Sequence, residues 1–354
     1  MIKSRNFEIS NVHPTYFIAD IAANHDGDLQ RALSLIELAA ASGANAAKFQ
    51  HFRAATIVSK VGFEQDLPMK LAHQAKWNKS VWEVYRSAEV PFEWTEKLIE
   101  KCDKMGIDFF TAPYDLDAIN YFSNLIPFYK VGSGDINYLS GLKEMVKWGK
   151  PIFLATGAST LDEVIRTINF IVEHGCQVVL MQCNTNYSGD PQNLNFINLN
   201  VLSQYRSLFP ELVLGLSDHT NGDTTVLGAV ALGARVIEKH FTDDVNKPGP
   251  DHAFSMSPET WSKMVERTRE LEASLGDGSK KIEENEKTSR IVQRRALRVN
   301  RDLEVGHILT ENDLIALRPM PENGIEPFVI NNIIGKKLNK TKSSDSLLTF
   351  KDIN

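Results

Sequence analysis

Two neighbouring segments, LVLGLSDH (212–219) and RVIEKHF (235–241), decide the fold. Each opens as a core strand of Leu, Val or Ile and closes on ionisable residues, which a buried strand carries at high cost unless a site needs them. The two-residue period of a strand resolves the conflict. In the first segment Leu212, Leu214 and Leu216 face one way, and Gly215, Ser217 and His219 the other. In the second, Ile237, Lys239 and Phe241 face outward, with Lys239 expected to snorkel at the rim, while Val236, Glu238 and His240 face inward. In a closed barrel the inward residues at the C-terminal strand ends form the active-site mouth. Adjacent strands then deliver one histidine each to the same wall.

Six earlier runs have the same character: YFIADI (16–21), AAKFQH (46–51), IDFFTAP (107–113), FYKVGSG (128–134), PIFLATG (151–157) and QVVLMQC (177–183). A helical pattern follows each. STLDEVIRTINFIVEHG, for example, opens with a capping box from Thr160 to Glu163 and stops at Gly175. Eight βα units predict an α/β fold, a (β/α)8 TIM barrel over residues 1–275. The rival open doubly wound sheet lacks a GxGxxG after an early strand. The aromatic-rich segment 61–98 is expected to add helices near the mouth. Beyond it, 276–293 reads as a charged linker, or as a solvated helix, and 294–354 as a small, mostly β domain. No tandem repeat is evident beyond the βα unit.

Bulk properties exclude several classes. The 354 residues carry a net charge of −6 and no basic block, so nucleic acid is not an expected partner. No apolar run approaches the roughly 20 residues of a membrane span, and MIKSRNFEIS lacks a signal-peptide core. Cys102, Cys176 and Cys183 are widely spaced, which fits a reducing compartment and packing roles. The expected location is cytoplasmic.

The other strand ends are polar too. Asp20 ends the first; Lys48 and Gln50 share the inward parity of the second; Thr111 ends the third, Lys130 and Ser133 the fourth, Thr156 the fifth and CNTNY the sixth. Two imidazoles with Ser217, Glu238 and Asp251 nearby suit a divalent metal; either histidine alone reads first as a satisfied core or loop residue. Lysines inside a barrel wall need anions. Lys48 and Lys130 predict a bound phosphate and carboxylate, or, without a ligand, buried salt bridges to Asp20 and Glu238.

The runs IADIAANHDGDLQRALSLIELAAASGANAAKFQ, YKVGSGDI, KPIFLATGASTLDEV, GLSDHT and ALGARVIEKHFTDDVNKPGPDHAFSM closely resemble the sialic acid synthase family. The tail RRALRVNRDLEVGHILTENDLIALRP…NGI…IIGKKL is similar to that family's antifreeze-like SAF domain. The resemblance implies condensation of phosphoenolpyruvate (PEP) with an N-acylated hexosamine, giving a nine-carbon 2-keto acid and phosphate. It also implies a divalent metal, Mn2+ or Mg2+, and a domain-swapped homodimer. Matched position by position, His219 and His240 correspond to metal ligands, and Lys48, Gln50, Lys130, Ser133 and Ser217 to PEP contacts. Glu238 and Asp251 correspond to acids at the reacting centre, Tyr187, with Thr185 beside it, to the substrate side, and Arg318 to an arginine reaching the partner's barrel. The chain departs from the family in several places, among them QCNTNYSGD (182–190) where the family has HC…YP. Asp20 and Asp135 replace glutamates, Ala155 replaces the Ser of STG, and Ala112 the Thr of STPF. Thr111 and Thr156 are expected to supply the displaced hydroxyls. The two shortened acids predict an acceptor bulkier than, or substituted differently from, N-acetylmannosamine. Alternatives are a synthase of 3-deoxy-ulosonate type and a non-catalytic sugar-binding relative.

Overall fold

The computed structural model describes residues 1–66, 74 and 77–354. Eight parallel strands form one sheet: β1 Tyr16–Asp20, β2 Ala46–His51, β3 Asp108–Pro113, β4 Tyr129–Val131, β5 Ile152–Ala155, β6 Val178–Cys183, β7 Val213–Asp218 and β8 Ala234–His240. Their order, β3-β2-β1-β8-β7-β6-β5-β4, is that of a TIM-type barrel in which β8 returns to β1. At the β3/β4 seam side-chain packing joins the wall. Phe110 meets Phe128 edge to face at 4.7 Å, and Phe128 stacks on Phe153 at 4.4 Å. Aromatic pairs of this kind are worth about 0.5–1.5 kcal/mol beyond the area they bury.

The two faces of the strands feed two cores. The inner one holds Ile18, Ala46, Phe110, Phe128, Phe153, Val179, Met181, Val213 and Val236, and Ile2 and Ile9 of an N-terminal hairpin join it. The outer one packs Phe17, Ala47, Leu154, Leu216 and Ile237 against the helices. Helix Leu29–Ala41 shows the logic: Asp28 caps it through the Gln30 and Arg31 amides, and Ala32, Leu35, Ile36 and Ala39 lie on its buried stripe. Helix Leu161–Glu173 carries the expected Thr160–Glu163 capping box. The expected mouth-side helices are represented by Val81–Ser87; the expectation for 67–73, 75 and 76 lies outside the described residues.

Two compact units divide at Gly276/Asp277. The second, Asp277–Asn354, begins with exposed chain carrying the short helix Lys287–Gln293, so the stretch read as a linker is partly helical. Strands Ala296–Val299 and Leu314–Leu317 pair antiparallel. This unit also holds a repeat that the sequence reading missed. A shift of 39 residues carries Asn300 onto Asn339, Thr310 onto Thr349 and Asp313 onto Asp352. The backbone bonds are reciprocal under that shift: Leu309 N–H donates to the Lys336 carbonyl, and Leu348 N–H to the Leu297 carbonyl. Asp313 and Asp352 occupy equivalent places, each accepting the amide and hydroxyl of the threonine three residues before it.

Candidate active site

The strand ends enclose a cavity of about 390 Å³. Asp20, Lys48, Gln50, Lys130, Ser133, Asp135, Tyr187, Ser217, His219, Glu238, His240 and Asp251 all line it, so twelve of the sixteen expected residues converge there. The strand register explains how. Glu238 is level with Ser217, and His240 with Asp20, so alternate residues of three adjacent strands open on the same space.

Its electrostatics are unevenly satisfied. Lys48 Nζ lies 2.6 Å from Asp20 Oδ2 and 3.7 Å from Glu238 Oε1, so the expected salt bridges are present. Burial opposes its charge, but Asp20 and Glu238 outweigh burial and move Lys48 up. Lys130 is 3.6 Å from the same Glu238 oxygen and, among the described residues, hydrogen-bonds only the Val131 carbonyl. Burial pushes it down, against the pull of Glu238 and with help from the like charge of Lys48. Lys130 is therefore the cation an incoming anion would relieve. Glu238 Oε1 accepts from Ser217 Oγ at 3.1 Å, while Oε2 is buried with no partner among the described residues. Asp251 is lifted to about 6 by burial and by Asp20, although the Ala23 amide donates to it at 3.0 Å. Asp135 reaches about 6 through burial, against Lys130.

The histidines stand with ring centroids 5.4 Å apart. The Asn184 carbonyl lies 2.8 Å from His219 Nδ1 and fixes the proton there, leaving Nε2 as the lone-pair nitrogen. His240 is held well below its ordinary value by burial and by His219, hence neutral, and its Nδ1 is buried with no hydrogen-bond partner among the described residues, 3.8 Å from Asp251 Oδ2. Burial opposes the charge of His219, but Cys183, the Asn184 carbonyl and Asp218 move it up; two imidazoles beside carboxylates are a suitable donor set for a divalent ion. Among the described residues no three His, Cys, Asp or Glu side chains form a ready cation cage.

Four expected residues lie elsewhere. Thr111 and Thr156 face out of the barrel. Thr111 Oγ1 donates to the Phe49 carbonyl and lies 2.7 Å from His51, while Thr156 Oγ1 donates to the Met181 carbonyl and accepts from Tyr205. The reason is strand parity: Ala112 and Ala155 hold the inward positions, and a neighbour one residue away points to the other face. Thr185 packs its methyl over Gly157, 2.5 Å from where a Cβ there would be. Arg318 is exposed in the second unit. A further correction concerns Lys239, which does not snorkel at the rim. It is 1% exposed and paired with Asp218 in the layer between barrel and helices.

The structure adds residues that the sequence reading passed over. Phe52, Tyr85 and Tyr114 form an aromatic side of the cavity, and Cys183 lines it with Sγ 3.9 Å from His219 Nδ1. His252 is fully buried with Nδ1 2.7 Å from Thr242 Oγ1 and Nε2 3.0 Å from Asp26 Oδ1, which ties the PGPDH loop to the loop after β1. A side chain at Gly249 would stand 2.6 Å from His252 Cδ2, so only glycine fits there. The available signal was a histidine beside Asp251 in a loop rich in Pro and Gly.

Residues 35–280 match the NeuB family, and residues 294–354 the SAF domain. The N,N'-diacetyllegionaminic acid synthase of Campylobacter jejuni is 34% identical over 94% of this chain and 98% of its own. The human N-acetylneuraminate-9-phosphate synthase is 30% identical over 96% of this chain and 93% of its own. A crystal structure of the N-acetylneuraminic acid synthetase of Leptospira borgpetersenii with citrate superposes with a TM-score of 0.72 at 28% identity, covering 81% of this chain and 94% of that one.

Proposed function

Because the chain belongs to the NeuB family, we propose that it is a nonulosonic acid synthase, a transferase that condenses PEP with an N-acylated hexosamine to a nine-carbon 2-keto acid and phosphate. The observation that carries this reading is the convergence of an under-neutralised Lys130, a Glu238 with a free buried oxygen and two histidines on one cavity.

Lys48 and Lys130 hold the phosphate and carboxylate of PEP and place C3 against the acceptor's open-chain aldehyde. Bond formation leaves positive charge at C2 and an alkoxide on the former aldehyde oxygen, which takes up the proton released by the water that then adds at C2. Glu238 Oε2 takes a proton from the water that adds there, with Asp251 sharing that role, and the lysines stabilise the phosphate as the C–O bond breaks. His219 and His240, with Asp251 beside them, fit a Mn2+ or Mg2+ ion. When bound, such an ion supplies Lewis-acid polarisation of the acceptor's aldehyde oxygen. Chelation is expected to abolish turnover with the fold intact; full activity in EDTA would refute the metal.

The acceptor is read as a 2,4-diacylated hexose rather than N-acetylmannosamine. Asp20 is committed to Lys48 and accepts from Gln50 Nε2 at 3.1 Å, so it is not free for a sugar hydroxyl, and the facing wall is aromatic. Incubation with PEP and a panel of N-acylated hexoses, scored by mass spectrometry, tests this; the highest kcat/KM on N-acetylmannosamine would sink it. The same reading places the protein in the cytoplasm as a domain-swapped homodimer in which Arg318 closes the partner's site. Mixing inactive His240→Ala and Arg318→Ala chains should then restore activity through hybrid dimers.

A further inference from the structure

Behind the cavity wall, one residue out of phase with the site, lies a second charged cluster. Lys239 and Asp218 are level with each other in the β7/β8 register, and both are almost fully buried. Lys239 Nζ donates to Asp218 Oδ2 at 2.5 Å and to the Thr220 carbonyl at 2.6 Å. Asp218 Oδ2 also accepts from Thr225 Oγ1 at 2.6 Å and Thr220 Oγ1 at 2.9 Å, and Oδ1 accepts from the Thr220 amide at 3.2 Å. The cluster has no opening to the cavity: neither residue lines it. It joins three things, the end of β7, the end of β8 and, through Thr225, the first turn of helix Thr224–Ala231.

The chain positions matter most. Asp218 sits between Ser217 and His219, and Lys239 between Glu238 and His240. The ion pair therefore anchors the backbone directly beside each site residue that β7 and β8 supply. Apolar residues of similar volume would fill the same place without the desolvation cost of two charges, so stability alone does not account for the pair. Two packed apolar side chains would also let the strand ends slide; a lysine bonded at once to a carboxylate and to a carbonyl two residues further on does not.

We infer that Asp218 and Lys239 are positioning residues: they fix the spacing and ring orientation of His219 and His240, and so the metal affinity and turnover of the site. The inference rests on the proposed reaction only for its kinetic part. The test is the double variant D218N/K239M, which removes both charges and keeps the volume, with Lys239→Arg as the conservative control.

Three measurements apply. In metal-free protein, long-range 1H–15N spectra of labelled histidine should show single tautomers for wild-type His219 and His240, and averaged ones in the double variant. Titration with Mn2+ should show affinity lowered 10- to 100-fold, the range typical of supporting residues behind metal ligands. With PEP and acceptor, kcat should fall at least tenfold while the KM for PEP stays within about twofold, since Lys48 and Lys130 lie outside the cluster. Lys239→Arg should recover part of the loss. A double variant that melts near the wild type with unchanged histidine spectra would overturn the inference, whatever the activity. A wild type that releases no phosphate from PEP with any acceptor would instead sink the proposed reaction, and the histidine spectra would still decide the positioning role.

Discussion

Along β7 and β8, consecutive residues live in opposite electrostatic worlds. Facing the cavity, Glu238 has a buried oxygen and His240 a buried nitrogen with no partner among the described residues, and Lys130 of β4 is pushed down by burial. Facing the helices one residue along, Asp218 and Lys239 have five hydrogen bonds between them and their two threonines. Both sets are buried and ionisable, and apart from Lys130 of β4 both stand on β7 and β8; the completeness of pairing is what differs. A buried charge left short of partners is a cost that folding alone does not explain. The shortfall is therefore where a ligand is expected, and the saturated face is where its geometry is held.

The comparison breaks first at Glu238 and Lys130. Glu238→Gln keeps the Ser217 contact and removes the base, so kcat should fall by about 10³. Lys130→Met should lower kcat/KM for PEP by about 10²–10³. Its thermal midpoint should be no lower than that of the wild type, because an under-neutralised buried cation has gone. A marked loss of stability in Lys130→Met would show that the inner face is paired well enough to be structural, and the contrast would fail.

His252 sharpens the contrast from the other side. It touches nothing in the cavity, yet it holds the loop that carries Asp251. His252→Ala should leave PEP binding within about twofold and reduce Mn2+ affinity by about tenfold, because the Asp251 carboxylate loses its mooring. Calorimetric titration of the metal distinguishes this from general destabilisation, which would lower both.

Titration separates regions as well. His25 and His51 are buried outside the cavity, lowered to about 4 and about 3 chiefly by burial. In the unfolded chain they titrate near 6.5, so the stability these two histidines contribute is complete above that pH. It is lost as pH falls from 6.5 toward 4 and 3, at up to roughly 1.4 kcal/mol per pH unit for each. Asp135 and Asp251 act in the opposite sense. Raised to about 6, they weaken the fold above that pH, and the penalty lifts as pH falls from about 6 toward the ordinary carboxyl value of about 3.8. Asp251→Asn should be more stable than wild type at pH 7 and should lose stability more steeply below pH 6. Urea midpoints between pH 4 and 8 measure it; parallel curves would remove Asp251 from the unsatisfied set.

How far the sequence could be read follows from the same geometry. All eight strands and their inward parity are legible, because alternation is a local property and several of the helices between them open on a side-chain cap, as at Asp28, Asp115 and Thr160. Lys239 was misplaced because parity gives the direction of a side chain and not what waits there. Its partner Asp218 becomes visible only once β7 and β8 are set in register. Thr111 and Thr156 show the converse: their hydroxyls suit a phosphate, but strand parity turns them to the outer face, away from the cavity. The repeat in the second unit escaped because it survives in backbone bonds and two aspartates, with little side-chain identity between.

The smallest effect tests the two inward alanines. Ala155 lines the cavity on the face where the resemblance calls for a serine, beside Ser133, whose Oγ accepts from the Gly157 amide at 2.9 Å. Restoring the hydroxyl with Ala155→Ser adds one donor to the anion pocket without changing any other partner. One neutral hydrogen bond is worth about 0.5–1.5 kcal/mol, so the KM for PEP should fall by about threefold with kcat nearly unchanged. The same change at the outward neighbour, Thr156→Ser, keeps its hydroxyl on the Met181 carbonyl and should leave KM where it is. If Thr156→Ser moved KM and Ala155→Ser did not, the phosphate would not lie where strand parity places it, and the inner-face assignment of Lys130 would have to be redrawn with it.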